Sequence, residues 1–136
     1  MKKTLLLLSL IFIYSCSPEF ENESITITGD DYQSSYKITP PKWIQGTWIS
    51  SDGYKFEFKK SDVIYNYLDG TISAQNQVKY YEIQNIDPEF IQTKTDDSYN
   101  LEYKDSPYAK KKLNFVKISD TQIEATSFRK GIYTKK

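Results

Sequence analysis

The side chains that could do chemistry are carboxylates, hydroxyls and lysines, because the sequence has no histidine and a single cysteine, Cys16. Without histidine there is no imidazole general base, no histidine-paired nucleophile and no histidine metal ligand. One cysteine allows neither an intrachain disulfide nor a zinc site built from thiolates. Most familiar catalytic arrangements are therefore excluded.

Two carboxylate pairs remain, at Asp30-Asp31 and Asp96-Asp97. The second pair is followed by Ser98 and Asn100, and such oxygen clusters can hold calcium in a loop. Adjacent aspartates more often cap turns, and nothing in the sequence pairs two carboxyl groups as glycoside hydrolysis requires. We therefore expect no catalytic residues, no metal and no cofactor.

Serine and lysine can act together without histidine, but Ser51, Ser61 and Ser119 each precede an aspartate in a pattern typical of turns. The basic run over residues 110–112 could contact anionic lipid head groups or form a solvated loop. The whole chain balances 18 basic against 18 acidic side chains. Because nucleic-acid binding needs a net basic face, we expect no nucleic-acid partner.

Tyrosine is the one enriched residue type, with 12 in 136 residues. Tyrosine fills β-sheets, but its ring and hydroxyl also suit amphipathic pockets and protein interfaces. Alternation along a strand would place both members of an evenly spaced pair on one face and would separate Tyr80 from Tyr81. The candidate ligand-binding residues are Tyr65, Tyr67, Tyr80, Tyr99 and Tyr103.

The N-terminal residues have the pattern that is typical of a targeting segment. Lys2 and Lys3 precede an apolar run over residues 5–13, which is shorter than the ~20 residues of a membrane-spanning helix. Ile13-Tyr14-Ser15-Cys16 then resembles the lipobox of bacterial lipoproteins. That resemblance implies a signal peptide over residues 1–15, cleavage before Cys16, and lipid on the Cys16 thiol that anchors the chain to a membrane.

The resemblance to lipoproteins also suggests a location. The residue after the cysteine is Ser17, unlike the aspartate that retains some lipoproteins on the inner membrane, so the outer membrane is expected, on its periplasmic face or at the cell surface. Residues 16–39 are acidic and are predicted to form a flexible tether. Pro40-Pro41 interrupts regular structure, and a domain is predicted over residues 40–136.

Alternating apolar and polar residues dominate this domain, as in Tyr54, Phe56 and Phe58 against Lys55, Glu57 and Lys59. Helical periodicity does not persist, so nine strands and no helix are predicted, one of the strands near residues 71–83. Turn signals such as Asp52-Gly53 separate the strands. The pattern predicts an all-β fold, a small antiparallel meander closed as a lipocalin-like barrel of about 8 to 9 short strands.

Gly46-Thr47-Trp48, at the head of the first predicted strand, resembles the Gly-x-Trp motif of lipocalins and of smaller bacterial lipocalin-like domains. In that family the tryptophan packs at the closed barrel end under an arginine from near the last strand, a position that Arg129 matches. The resemblance implies a structural role for Gly46, Trp48 and Arg129. The chain departs from full-size lipocalins in lacking the C-terminal helix and the disulfide.

These observations favour a non-enzymatic, lipid-anchored outer-membrane protein whose barrel binds a small apolar or amphipathic ligand. The alternative is a protein-interaction module, such as an accessory subunit of an envelope complex or an inhibitor of a lysozyme-type enzyme. An open interior cavity of ~300 Å³ or more would favour the ligand. A filled interior with exposed apolar residues would favour a protein partner.

Overall fold

The computed structural model describes residues 32–68 and 70–136 of the chain. The predicted signal peptide, the lipidation site Cys16 and most of the predicted tether lie outside the described residues. Within the described ranges, no helix is long and apolar enough to cross a membrane.

Nine strands and one helix make up the described part of the chain. The four strands before the helix are β1 (Gly46–Ser50), β2 (Lys55–Lys59), β3 (Asp62–Tyr67) and β4 (Gly70–Ser73). The helix is α1 (Ala74–Ile83). The remaining strands are β5 (Ile91–Lys94), β6 (Ser98–Ser106), β7 (Ala109–Lys117), β8 (Gln122–Ala125) and β9 (Gly131–Lys135). All pairings are antiparallel, which confirms the predicted all-β meander with a barrel-like shape.

The predicted turn at Asp52-Gly53 joins β1 to β2. Gly53 has φ 82°, a left-handed conformation that glycine adopts without steric cost. Its N–H donates to the carbonyl of Ser50 at 3.0 Å, and the N–H of Ser50 donates to the carbonyl of Tyr54 at 2.9 Å. The turn sets the register in which Trp48 lies opposite Phe56, so both rings point into the core.

The prediction of one strand near residues 71–83 is wrong, because β4 ends at Ser73 and α1 begins at Ala74. The Ser73 hydroxyl caps the helix by accepting from the N–H of Asn76 at 3.0 Å. The helix buries Ala74, Val78 and Tyr81, a spacing of four and then three residues that matches one helical face. That spacing was present in the sequence, but it extends over only about two turns.

The sheet closes on one side and opens on the other. Its hydrogen-bonded order is β4-β3-β2-β1-β9-β8-β7-β6-β5, so β1 and β9 pair directly. We call this pairing the seam; it joins Trp48 to Lys135 and Ser50 to Tyr133. The edge strands β4 and β5 border an opening, and α1 packs beside it against β3, β4 and β6.

Residues 32–39, here called the strap, pass across the opening. The fully buried Ile38 anchors the strap in the core. On one side, the N–H of Ile38 donates to Gln75 Oε1 of α1 at 2.8 Å. On the other, the N–H of Thr39 donates to Gln92 Oε1 of β5 at 2.8 Å. The packed part of the chain therefore includes residues before position 40.

Aromatic rings fill the interior of the barrel. Phe115 packs edge-on against Phe56 and Phe58, with ring centroids 4.9 Å apart in both pairs. Phe56 also packs against Tyr133 at 5.1 Å. Edge-to-face packing of this kind adds to the stabilisation that burial of each ring contributes. The inward positions of the strands therefore build one continuous core.

Candidate functional site

Three of the five candidate tyrosines, Tyr65, Tyr99 and Tyr103, are fully buried in the core. The hydroxyls of Tyr65 and Tyr103 are hydrogen-bonded to each other at 2.9 Å, which joins β3 to β6 across the interior. The Tyr99 hydroxyl donates to Gln92 Oε1 at 3.0 Å. Burial raises the pKa of Tyr65 to about 12, so its hydroxyl stays neutral and acts as a hydrogen-bonding group.

The other two candidates are exposed. Tyr67 lies on the same face of β3 as Tyr65, as alternation predicted, but at the strand end, where it is 41% exposed. Tyr80 is 56% exposed while its neighbour Tyr81 is buried. The predicted separation of Tyr80 from Tyr81 is therefore present, although it arises from helical geometry and not from strand alternation. The five tyrosines do not come together around one space.

The structure instead assembles alternating aromatic rings and cations at one end of the barrel. This upper end carries the β1–β2, β3–β4 and β6–β7 turns and the loop between β8 and β9. We define the cation–aromatic row as Tyr54, Arg129, Phe128, Lys111 and Tyr67. The Arg129 guanidinium lies 4.0 Å from the Tyr54 ring and 5.4 Å from the Phe128 ring. Lys111 Nζ lies 4.2 Å from the Phe128 ring and 5.7 Å from the Tyr67 ring.

The row covers the core at the upper end. Phe128 packs edge-on against the buried Tyr65, with centroids 5.3 Å apart, so its ring lies over the interior. Lys111 is also paired with Asp105, at 3.3 Å between Nζ and Oδ2. Arg129 Nε is buried and has no hydrogen-bond acceptor among the described residues, so the Tyr54 ring is its close partner.

Two hairpin tips beside the row present apolar side chains to solvent. Tyr108, at the β6–β7 tip, is 99% exposed, and Leu68, at the β3–β4 tip, is 83% exposed. Leu68 has φ 51°, in the left-handed region that large side chains rarely adopt. A bulky apolar residue is thus held exposed in a backbone conformation that glycine would adopt more easily.

The lipocalin resemblance implied that Trp48 is packed in the core and that Arg129 covers it; the structure shows the first and not the second. Trp48 is fully buried, and its Nε1 donates to the carbonyl of Ile44 at 2.6 Å. The cation over the Trp48 ring is Lys135, at 5.2 Å, whereas Arg129 stacks on Tyr54. Register explains this arrangement, because Trp48 lies opposite Lys135, at the far end of β9 from the loop that carries Arg129.

Gly46 occupies a position that only glycine fits comfortably. Its φ is 125°, and an added Cβ would approach Lys135 Cε to 2.9 Å. The lysine that covers Trp48 therefore also packs closely on Gly46. Glycine, tryptophan and lysine form a structural cluster at the start of β1.

The basic run over residues 110–112 lies on β7 and is matched by carboxylates. Lys110 is 2.7 Å from Glu89, and Lys112 is 3.3 Å from Glu102. Glu89 is also 2.8 Å from Lys104. Hydrogen bonds from Lys104 and Lys110 lower the pKa of Glu89 to about 2. The run is thus largely neutralised by its neighbours, which argues against a basic docking surface.

The second aspartate pair belongs to a turn. Asp97 Oδ1 accepts from the Thr95 hydroxyl at 2.7 Å, and that hydroxyl is 2.8 Å from the Ser98 hydroxyl. Within residues 32–68 and 70–136, no group of three or more cysteines or acids is placed to hold a metal ion.

Sequence reasoning missed most of the cation–aromatic row. Its members come from β3, β7 and the segments that flank β2 and β9, and strand register alone brings them together. The adjacent Phe128 and Arg129 were the only local signal. No family model matches the chain, and neither a curated protein nor a solved structure matches it.

Proposed function

We propose that this chain is a non-enzymatic lipoprotein of the bacterial outer membrane, anchored through lipid on Cys16, whose barrel-like domain binds a protein partner through its upper end. The anchor rests on the lipobox-like residues at positions 13–16, behind a short apolar run. The proposal of a protein partner is supported by the geometry of the domain. A protein partner is favoured over an apolar ligand carried in the barrel, because aromatic side chains fill the interior.

The composition of the upper end carries the proposal. Binding hot spots in protein interfaces are enriched in tyrosine, tryptophan and arginine. Here Arg129 and three tyrosines, Tyr54, Tyr67 and Tyr108, lie at or beside the row. Stacking between rings and cations restricts the side chains of the row before any partner arrives, which lowers the entropic cost of binding.

Leu68 adds a second support. A large residue at φ 51° costs conformational energy, and glycine would remove that cost. Strained residues persist where the surrounding structure holds them and often occur at functional positions. Leu68 and its chain neighbour Tyr67 are 83% and 41% exposed, and together they offer an apolar contact area that a partner would bury.

Photocrosslinking in cells tests the upper end. A photoreactive phenylalanine analogue replaces Tyr108 in the full, membrane-anchored chain, and the matched control carries the analogue at Ile118, an exposed residue beyond the other end of β7. We expect a protein adduct from position 108 and none from position 118. Leu68→Gly should lower the adduct yield without lowering the melting temperature, because the variant removes the side chain and its strain together.

The anchor is tested separately. A fatty-acid analogue should label the wild-type chain, and Cys16→Ala should abolish the label. Adducts to lipid alone from position 108, or equal protein adducts from both positions, would contradict the interaction proposal. Labelling of the Cys16→Ala variant would contradict the anchor.

A further inference from the structure

Arg129 and Lys111, the two cations of the cation–aromatic row, differ in their partners. Lys111 is paired with Asp105, at 3.3 Å between Nζ and Oδ2. No carboxylate of the described residues forms an ion pair with Arg129, although Asp52 is exposed in the neighbouring β1–β2 turn. The guanidinium of Arg129 therefore carries a positive charge that the described part of the chain does not neutralise.

The burial of this guanidinium is uneven. Its Nε is buried and has no hydrogen-bond acceptor within residues 32–68 and 70–136, whereas its terminal nitrogens reach the surface. A buried N–H without an acceptor costs free energy, and such a group in a folded protein needs an explanation. The cost is explained if a partner uses the donors of Arg129 that remain accessible.

Both the backbone and the side chain of Arg129 are held in place. The hydroxyl of the fully buried Tyr133 donates to the carbonyl of Arg129 at 2.7 Å, which ties this backbone to the core. Arg129 has φ 52°, in the left-handed region that favours glycine. Its guanidinium lies 4.0 Å from the Tyr54 ring and 5.4 Å from the Phe128 ring. Because Arg129 is already placed, its ordering adds little to the entropic cost of binding a partner.

We propose that Arg129 binds an acidic side chain of the protein partner at the upper end, a step that rests on the proposed function. The terminal nitrogens of an arginine can donate two parallel hydrogen bonds to one carboxylate, and such charged bonds are stronger than neutral ones. Burial of Nε and the rings beside the guanidinium limit the water around it, which strengthens the attraction. An anionic lipid surface is disfavoured, because the lysines at 110–112 are already paired with carboxylates.

The protein adduct of the photoreactive analogue at position 108 provides the readout, in the full, membrane-anchored chain. Arg129→Gln should lower the adduct yield by about tenfold, because it removes both the charge and the paired donors. Arg129→Lys should also lose most of the yield, because an ammonium group cannot make the two parallel bonds. The matched control is Lys60→Gln, which makes the same charge change as Arg129→Gln at an exposed residue of the β2–β3 turn, and its yield should equal that of the wild type. Melting temperatures of the purified variants show which are folded, and Arg129→Lys decides if Arg129→Gln is not.

A charge exchange tests the carboxylate directly. Mass spectrometry identifies the crosslinked segment of the partner, and its acidic residues are replaced by arginine one at a time. Arg129→Glu should abolish the adduct, and one of these partner variants should restore it, because the same ion pair then forms with its charges exchanged.

The possible failures of the two proposals are distinct. An undiminished adduct in a folded Arg129 variant, an equal loss in Lys60→Gln, or a partner in which no exchanged acidic residue restores the adduct would overturn the role of Arg129 alone. The absence of a protein adduct from position 108 in the otherwise wild-type chain, or adducts to lipid alone, would overturn the protein partner and the role of Arg129 together.

Discussion

The seam and the opening close the same barrel by different means. At the seam, backbone hydrogen bonds between β1 and β9 continue the sheet, and Trp48 packs beneath it. At the opening, β4 and β5 do not pair, and side-chain amides of Gln75 and Gln92 hold the strap in the gap. The hydrogen bonds of the seam join backbone groups, which almost every residue has. The hydrogen bonds that hold the strap in the opening need the particular side chains of Gln75 and Gln92.

Because of this difference, we expect variants at the seam and variants at the opening to have different effects. The seam buries apolar groups, so its variants should act mainly on the free energy of unfolding. The opening combines one buried anchor, Ile38, with part-buried hydrogen bonds from the side chains of Gln75 and Gln92. Loss of a polar contact there should loosen the strap while the sheet remains folded.

Trp48→Ala should produce the largest effect, because it removes a fully buried indole beneath the seam. Truncation of a buried tryptophan costs about 3–5 kcal/mol, a large share of the stability of a small domain. Chemical denaturation measures the loss. The control is Trp43→Ala, since Trp43 is only partly buried and its Nε1 donates to the carbonyl of Thr95 at the surface. A smaller loss for Trp48→Ala than for Trp43→Ala would contradict the role of the seam.

Gln75→Ala should destabilise the opening by about 1–3 kcal/mol, because it leaves the N–H of Ile38 and the carbonyl of Tyr36 without their partner. Amide hydrogen exchange should accelerate at Ile38 while the amides of β1 and β9 keep their protection. Asn76→Ala, at the next residue of α1, which is exposed, provides the comparison. Uniform acceleration across the sheet would mean that strap and seam form one cooperative unit.

The hydroxyl pair of Tyr65 and Tyr103 joins the two sides of the opening through the interior. Replacing either tyrosine alone by phenylalanine should cost about 1–2 kcal/mol, because the remaining hydroxyl is buried without its partner. The double variant should recover most of that loss, since neither hydroxyl remains. Additive losses in a double-mutant cycle would show that the two hydroxyls are satisfied independently.

Glu89 should make the edge beside β5 sensitive to acid. Its pKa is lowered to about 2 in the folded chain, below the ordinary 4.5, so between these values the unfolded chain binds a proton that the folded chain does not. Stability from this group is present above about pH 4.5 and is lost as the pH falls towards 2. The free energy of unfolding should therefore differ less between pH 6 and pH 3 in Glu89→Gln than in the wild type. Glu124→Gln, an exposed position on β8, is the control, and an unchanged difference for Glu89→Gln would contradict the assignment.

Much of the sheet could be predicted from the local pattern of apolar, polar and turn residues. Alternation separated the buried Phe56 and Phe58 of β2 from their polar neighbours, and Asp52-Gly53 marked a true turn, because both signals depend on neighbouring residues alone. The helix was missed because its buried face spans only Ala74, Val78 and Tyr81, and a short run of mixed residues satisfies either period. The resemblance to lipocalins implied a packed tryptophan at the start of the first strand, and Trp48 is fully buried.

The sequence by itself determined the all-β class, most of the strands and the inward faces of those strands, since alternation is a local property. Only the tertiary structure decided which cation meets which ring, because β9 register places Lys135 over Trp48 and leaves Arg129 to Tyr54. It also decided that β4 and β5 stay apart and that the strap passes between them. These outcomes depend on residues as far apart in the chain as Ile38 and Gln75, whose contact no local pattern encodes.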